Sequence, residues 1–335
     1  MKKFINKIPF FIAEISGNHN GKISNAKRLI DLAKKGGADA VKIQTYTPAM
    51  MTIKSNAFKI KKGLWANMNL WKLYQKAQTP LEWHKTLFSH ARKKKIKIFS
   101  TPFSTDGVDF LEQLNPPIYK VSSFEMNDLN LIKRIALTKK PMIISTGLAN
   151  LKEIRKTVIT AKKYGCKDIT LLYCVSEYPS KITDFNINNI EILSKKFKCR
   201  VGLSDHSLGS KIACVAIVKG AVVIEKHICL KNIKSVDSKF SLQGNDILKF
   251  RKDINDTYQL TKNTNFVRKN KELQNKIFRR SIYAIKDIKK GEKFTYKNIK
   301  TFRPNIGLSA SHYLQILNKK SPLNISKNYP LKKKQ

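Results

Sequence analysis

The chain has 335 residues, 41% hydrophobic and 9% aromatic, with 66 Lys+Arg against 23 Asp+Glu and a formal net charge of +43. That apolar content excludes a disordered tail or a fibre, and the length suits one large domain or a large one with a small one. The charge invites a nucleic-acid reading, but only 10 of the 66 basic residues are Arg, the side chain favoured for bidentate base and phosphate recognition.

The 56 Lys are dispersed through segments that read as ordinary helices, so no nucleic-acid partner is expected. The start, MKKFINKIPFFIAE, imitates a basic segment before an apolar one, but Glu14 cuts the run short and no small-residue cleavage site follows. No stretch approaches the ~18 apolar residues of a membrane span. Cys166, Cys174, Cys199, Cys214 and Cys229 are scattered and form no CxxC pair, as small buried hydrophobes would be. A cytoplasmic chain without a membrane partner is the expectation.

From residue 9 to about 260, short apolar runs alternate with amphipathic helical stretches. The runs are PFFIAEIS (9–16), AVKIQTY (40–46), IKIFSTPF (96–103), IYKVSS (118–123), PMIISTG (141–147), ITLLYCVS (169–176), CRVGLSDH (199–206) and VVIEKHICL (222–230). Each is rich in β-branched or aromatic residues, as strands buried on both faces should be. Helix-period segments such as 24–37, 81–95 and 151–165 separate them, two ending in Gly where a C-cap falls. Eight strands each followed by a helix predict an α/β fold, a (β/α)8 TIM barrel over residues 1–260. A doubly wound sheet is the rival, but no GxGxxG follows the first strand.

Two segments break the beat. The connection after the second strand, roughly 47–79, far exceeds the ~2–6 residues usual there. Trp65, Trp71 and Trp83 fall in it or just beyond. Spacing alone leaves open whether it builds a site or a surface subdomain with its own small core. The second break, 261–277, is polar and charged and reads as a linker. Beyond it, RRSIYAI and KFTYKNI, split by KDIKKGE, predict a small β-rich domain over 278–335.

Barrel chemistry sits at the C-terminal ends of strands. Those ends carry Glu14; Lys42 and Gln44; Thr101; Lys120 and Ser122; Ser145 and Thr146; Ser176; Ser204, Asp205 and His206; and Glu225 and His227. One such polar residue is usually a satisfied core group, but packing does not explain eight strands all ending this way. Five of the 23 acids (Glu14, Glu125, Asp205, Glu225, Asp237) fall in this ring or just after it. His206 and His227 close successive strands and suit a divalent metal with open positions, though no HxH or HExxH spacing supports them. Alternation puts Glu225 and His227 on one face and Lys226 on the other. Lys42 and Lys120, on apolar strands, suit anion binding or a Schiff-base nucleophile. His19 in SGNHNG is a candidate neighbour of the site, whereas His84, His90 and His312 have bland readings.

Taken together, AEISGNHNG, GADAVKIQTY, FSTPF, YKVSSFE, IISTG, a YP after strand six, GLSDHSLG and VIEKHICL resemble the sialic acid synthase family over residues 11–242. RRSIYAIKDIKKGE and FRPNIGL are similar to the antifreeze-like (SAF) domain such enzymes carry. GLWANMNLWKLY in the second loop, SSFE in place of GSGE, VDSKFSL in place of GPDxxxSL and RPNIGL in place of RPGxG point to one branch. That branch acts on 2,4-diacetamido-2,4,6-trideoxy-L-altrose, where other branches use an N-acetylmannosamine-type sugar.

The resemblance implies condensation of phosphoenolpyruvate with an open-chain amino sugar, releasing phosphate. It implies that Lys42, Thr101, Lys120, Ser122, Ser145, Ser176 and Ser204 hold phosphoenolpyruvate, and that His206 and His227 bind Mn2+ or Mg2+. Glu14, with His227, would be catalytic; Gln44, Tyr178 and Asp237 would contact the sugar. Arg303 would reach the sugar from a partner subunit in a domain-swapped homodimer. The Trp-bearing loop, through Trp65 and Trp71, is expected to wall in the deoxygenated end of the sugar. A Schiff-base aldolase and a nucleic-acid binder using the basic tail are the competing classes.

Overall fold

A computed structural model describes residues 9–55, 57 and 59–332; the basic start of the chain lies outside them. The chain divides into two compact units, with the break between Asn263 and Thr264.

The larger unit is a closed parallel barrel. Its strands are β1 (Phe10–Glu14), β2 (Ala40–Thr45), β3 (Lys97–Pro102), β4 (Tyr119–Val121), β5 (Met142–Ser145), β6 (Ile169–Cys174), β7 (Arg200–Asp205) and β8 (Val223–Cys229). Each pairs in parallel with the next, and β1 pairs with β8, which closes the ring. Every one falls within an apolar run recognised in the sequence. A short β9 (Leu242–Gln243) extends the pairing beyond β8.

Side-chain alternation splits the strands into two cores. Phe10, Ile12, Ala40, Phe99, Ile118, Ile143, Leu172 and Val223 fill the barrel. Their neighbours, among them Phe11, Val41, Ile144, Leu171, Leu203 and Ile224, pack outward against the helices. The helices are held in register by local chemistry. Asn150 caps Leu151–Lys163 in a reciprocal box with Glu153, and Ser104 caps Thr105–Glu112.

The outward layer also takes two charges. Lys226 donates to Asp205 at 2.7 Å and to the Ser207 carbonyl, with its ammonium 5.8 Å from the Phe250 ring centre. Lys226 therefore faces the helices, as alternation requires. Asp205 does so too, which corrects its grouping with the acids of the strand-end ring: Ser204 and His206 share the inner face and the residue between them cannot.

In the smaller unit, β10 (Ser281–Ala284) pairs antiparallel with β11 (Ile299–Phe302) over a core that includes Ile282, Ile288, Phe294, Ile299 and Leu331. RRSIYAI contains the first strand. KFTYKNI does not form the second, which starts only at its last residue, Ile299.

Gly202 shows how tightly the barrel is filled. A Cβ there would meet the Val223 carbonyl oxygen at 2.3 Å and Leu172 Cδ2 at 2.6 Å. Gly202→Ala is expected to cost about 1–3 kcal/mol by overpacking, read as a lower denaturation midpoint at unchanged m-value.

Candidate active site

The inner residues of the strands change character one step above the apolar filling. Glu14, Lys42, Lys120, Ser145, Cys174, Ser204 and Glu225 stand where Ile12, Ala40, Ile118, Ile143, Leu172, Gly202 and Val223 stood one pleat earlier. Two lysines and two glutamates are thus enclosed together. Lys42 is ion-paired with Glu14 and lies 3.8 Å from Glu225; Lys120 lies 3.6 Å from Glu225. Hydroxyls add bonds to the cluster: Lys42 donates to Thr101 at 3.1 Å, Lys120 to Ser145 at 2.7 Å, and Ser204 to Glu225 at 3.0 Å.

Burial acts on each charge and the neighbours decide the outcome. For Glu14, burial and the nearby Glu225 outweigh Lys42 and push its pKa up to about 7. Burial also works against charge on Glu225, but the two lysines prevail and hold it below the usual carboxylate range. Lys42 is held above its ordinary value because two carboxylates outweigh its burial. An ammonium so stabilised is a poor amine nucleophile, which weighs against an aldolase using Lys42. Burial shifts Lys120 downward, yet its ammonium is committed to Ser145, the Val121 carbonyl and Glu225.

These groups form the floor of a cavity of about 350 Å3, a size suited to small molecules. His206 and His227 stand on its rim with ring centres 5.5 Å apart. The His206 Nδ1–H donates to the Val175 carbonyl at 2.9 Å, which leaves Nε2 as the free lone pair. His227 Nδ1 is buried with no hydrogen-bond partner. Burial lowers both pKa values, so the rings are neutral, the form that ligates metals. No cluster of three or more His, Cys, Asp or Glu suited to a metal occurs among the described residues. The pair offers two neutral nitrogens, fewer protein donors than a closed metal site has.

Gln44, Ser122, Tyr178 and Asp237 line the same cavity. Asp237 accepts from Ser16, and burial raises its pKa to about 6. Thr101 and Ser176 stand just behind the lining, bonded to Lys42 and to Ser123 respectively. Arg303 is exposed on the smaller unit.

Ser123 and Glu125 are among the polar lining residues to which sequence position gives no role. Ser123 bonds Ser176 at 3.1 Å, whereas the hydroxyl of Ser122 is taken by Glu125. Glu125 also lines the cavity, and burial lifts its pKa to about 7. The doublet in YKVSSFE was the only signal for Ser123. Four of the five acids singled out in the sequence are thus at the cavity.

His19 is not part of the lining. It is fully buried beside Trp83, with ring centres 5.4 Å apart, and accepts from the Gly21 N–H at 3.1 Å. It ties the loop after β1 to the end of the long connection.

That long connection forms the apolar wall, through Met51, Ile60, Trp65, Leu70, Leu73 and Tyr74. Trp71 is absent from the lining and carries Lys54 over its ring at 5.9 Å, so of the tryptophans in this connection only Trp65 belongs to the wall.

The NeuB family model matches residues 29–265, and an SAF domain matches residues 279–335. The chain is 43% identical to "Pseudaminic acid synthase" of Campylobacter jejuni serotype O:2, over 96% of this chain and 94% of that one. It is 38% identical to "N,N'-diacetyllegionaminic acid synthase" of the same bacterium, over 93% of this chain and 96% of that one. Among solved structures it resembles the N-acetylneuraminic acid synthetase of Leptospira borgpetersenii, with a TM-score of 0.71, 27% identity, and coverage of 81% of this chain and 90% of that one. A parallel barrel ending in this polar floor, matched over most of its length, leaves one assignment: the chain belongs to the NeuB family, its barrel followed in sequence by an SAF domain.

Proposed function

We propose that the chain condenses phosphoenolpyruvate with 2,4-diacetamido-2,4,6-trideoxy-L-altrose and water to give pseudaminic acid and phosphate. The observation that carries this is the single cavity uniting a buried Lys42/Lys120 floor, a neutral His206/His227 pair and an apolar wall from the second loop. The 43% identity to the pseudaminic acid synthase relative, against 38% to the legionaminic one, supports the choice of sugar. The wall supports it as well: apolar side chains pair well with a methyl group, whereas the 6-hydroxyl of N-acetylmannosamine would need a partner there. N-acetylneuraminate or legionaminate synthesis is the second reading.

In this reading Lys42 and Lys120, with Thr101, Ser122, Ser145, Ser176 and Ser204, bind the carboxylate and phosphate of phosphoenolpyruvate. Gln44, Tyr178 and Asp237 orient the open-chain sugar so that its aldehyde carbon faces carbon 3 of the enol. His206 and His227 would hold Mn2+ or Mg2+, which would supply Lewis-acid polarisation of an aldehyde. Carbon 3 forms the new bond, leaving an oxocarbenium at carbon 2 that water captures. Glu14, with a pKa near neutrality, takes the proton lost by that water. Loss of phosphate from carbon 2 then yields the keto acid. The proton released by water balances the one gained by the new hydroxyl.

The reading includes a homodimer in which Arg303 of one subunit completes the site of the other. Exposed Phe266 and Phe278 on the segment between barrel and SAF domain support a covering partner. It also puts the enzyme in the cytoplasm, where phosphoenolpyruvate is made. Five free cysteines accord with a reducing compartment. No helix among the described residues is long and apolar enough to cross a membrane.

Phosphate release should require both substrates, fall by about a hundredfold or more in EDTA and return with Mn2+. Borohydride trapping of a covalent adduct and indifference to chelator would instead favour the aldolase. Mixing Arg303→Ala chains with Glu14→Gln chains should restore activity that neither variant shows alone, because a mixed dimer rebuilds one complete site. Equal inactivity of the mixture and its parents would remove the exchanged-domain arrangement.

A further inference from the structure

One side chain joins two loops across the cavity mouth. Trp65, on the long connection after β2, donates its indole N–H to the Val236 carbonyl at 3.1 Å. Its ring lies 5.3 Å from that of Tyr178, which in turn lies 4.4 Å from His206 and 5.3 Å from Phe240. Val236 immediately precedes Asp237. The Asp237 carboxylate accepts from Ser16, and its N–H donates to Asn18 Oδ1 at 3.3 Å.

The loop after β8 is therefore gripped from two sides. On one side the loop after β1 packs as closely as backbone allows: a Cβ on Gly17 would meet Val236 Cγ2 at 2.5 Å. On the other side stands Trp65. Between the grips, Asp237 is buried and still lines the cavity. A buried carboxylate with few donors keeps its aim only if its backbone is fixed.

We infer that Trp65 is a positioning residue: its indole N–H latches the Val236–Asp237 backbone and so holds the Asp237 carboxylate and the Tyr178 ring in place for the sugar. The identity of that sugar rests on the proposed function; the latch itself does not. Phosphoenolpyruvate binding depends chiefly on Lys42 and Lys120, whose ammonium groups bond Thr101, Ser145 and the Val121 carbonyl and pair with Glu14 and Glu225 rather than with Trp65 or Asp237. The latch therefore separates the two substrates.

Trp65→Phe keeps a ring against Tyr178 and removes the N–H. Losing that hydrogen bond should raise KM for 2,4-diacetamido-2,4,6-trideoxy-L-altrose about tenfold, with KM for phosphoenolpyruvate within about twofold of wild type. Trp65→Ala, which also loses the ring, should raise the sugar KM further. A sugar KM unchanged in Trp65→Phe, or both KM values rising together, would overturn the latch, since a merely structural role does not distinguish the substrates. Wild-type protein that releases no phosphate with this sugar would sink the proposed function instead. The latch is then judged without substrate, by amide hydrogen exchange over residues 235–240. Exchange about tenfold faster in Trp65→Phe supports it, and unchanged exchange overturns it.

Discussion

Four charges closed inside a barrel are the constraint from which the rest of the site follows. Taking Lys42, Lys120, Glu14 and Glu225 out of water costs several kcal/mol per ion unless each is paired and its remaining bonds are made. Pairing requires that strands far apart in sequence meet, and closure of β1 onto β8 provides this by bringing Glu14 beside the strand that carries Glu225. The hydroxyls of Thr101, Ser145 and Ser204 add bonds, while Glu14 Oε2 and Glu225 Oε2 face the lysines through charge alone. A polar strand end here is less an ornament of function than a condition for burying the lysines at all. An anion arriving between these lysines competes with the glutamates for them. With its pKa raised to about 7 by burial and by Glu225, Glu14 is the carboxylate of the two that exchanges a proton more readily near neutral pH.

The loops depend on the same closure. Asn18, after β1, donates to the Ile228 carbonyl and accepts from Ser235 and the Asp237 N–H, and Ser16 bonds the Asp237 carboxylate. These contacts span more than 200 residues of sequence and exist only because the first and last strands are neighbours. The long connection after β2 then adds what the strands cannot, an apolar side to a cavity whose floor is charged. A charged floor and an apolar wall thereby face one cavity.

The eight strands were legible because strands buried on both faces leave dense β-branched runs that helices seldom imitate. Period-two alternation went further and assigned Lys226 outward and His227 inward from sequence alone. The same rule, applied to Ser204–Asp205–His206, would have turned Asp205 outward; nearness in sequence to His206 had masked it. The second loop was not readable in this way. Its Leu70–Ala77 stretch is a helix whose positions at helical spacing (Leu70, Leu73, Tyr74 and Ala77) line the cavity and leave Trp71 off that face, but the irregular chain around Trp65 has no such period. His19 failed for a related reason: a position after a strand gives depth in the barrel, not the direction of the side chain. KFTYKNI has the composition of a strand, but its Ile299 and the residues after it, rather than those before, meet β10.

The excess of 43 positive charges looks like the determinant of anion binding, yet it contributes little to selection. Exposed lysines act across a screening length of about 8 Å at physiological salt, and they attract any anion alike. Such a coat can speed the approach of phosphoenolpyruvate without telling it from another phosphate. Discrimination must come from groups that are desolvated and fixed, and here the floor carries two lysines against two glutamates, with no net charge when all are ionised. The anion therefore gains little from bulk attraction and much from geometry: it must offer oxygens where Glu14 and Glu225 now do. A chain with far fewer surface lysines but the same four buried residues would bind as selectively. The reverse, the same coat over a floor without ionisable side chains, would attract anions without choosing among them.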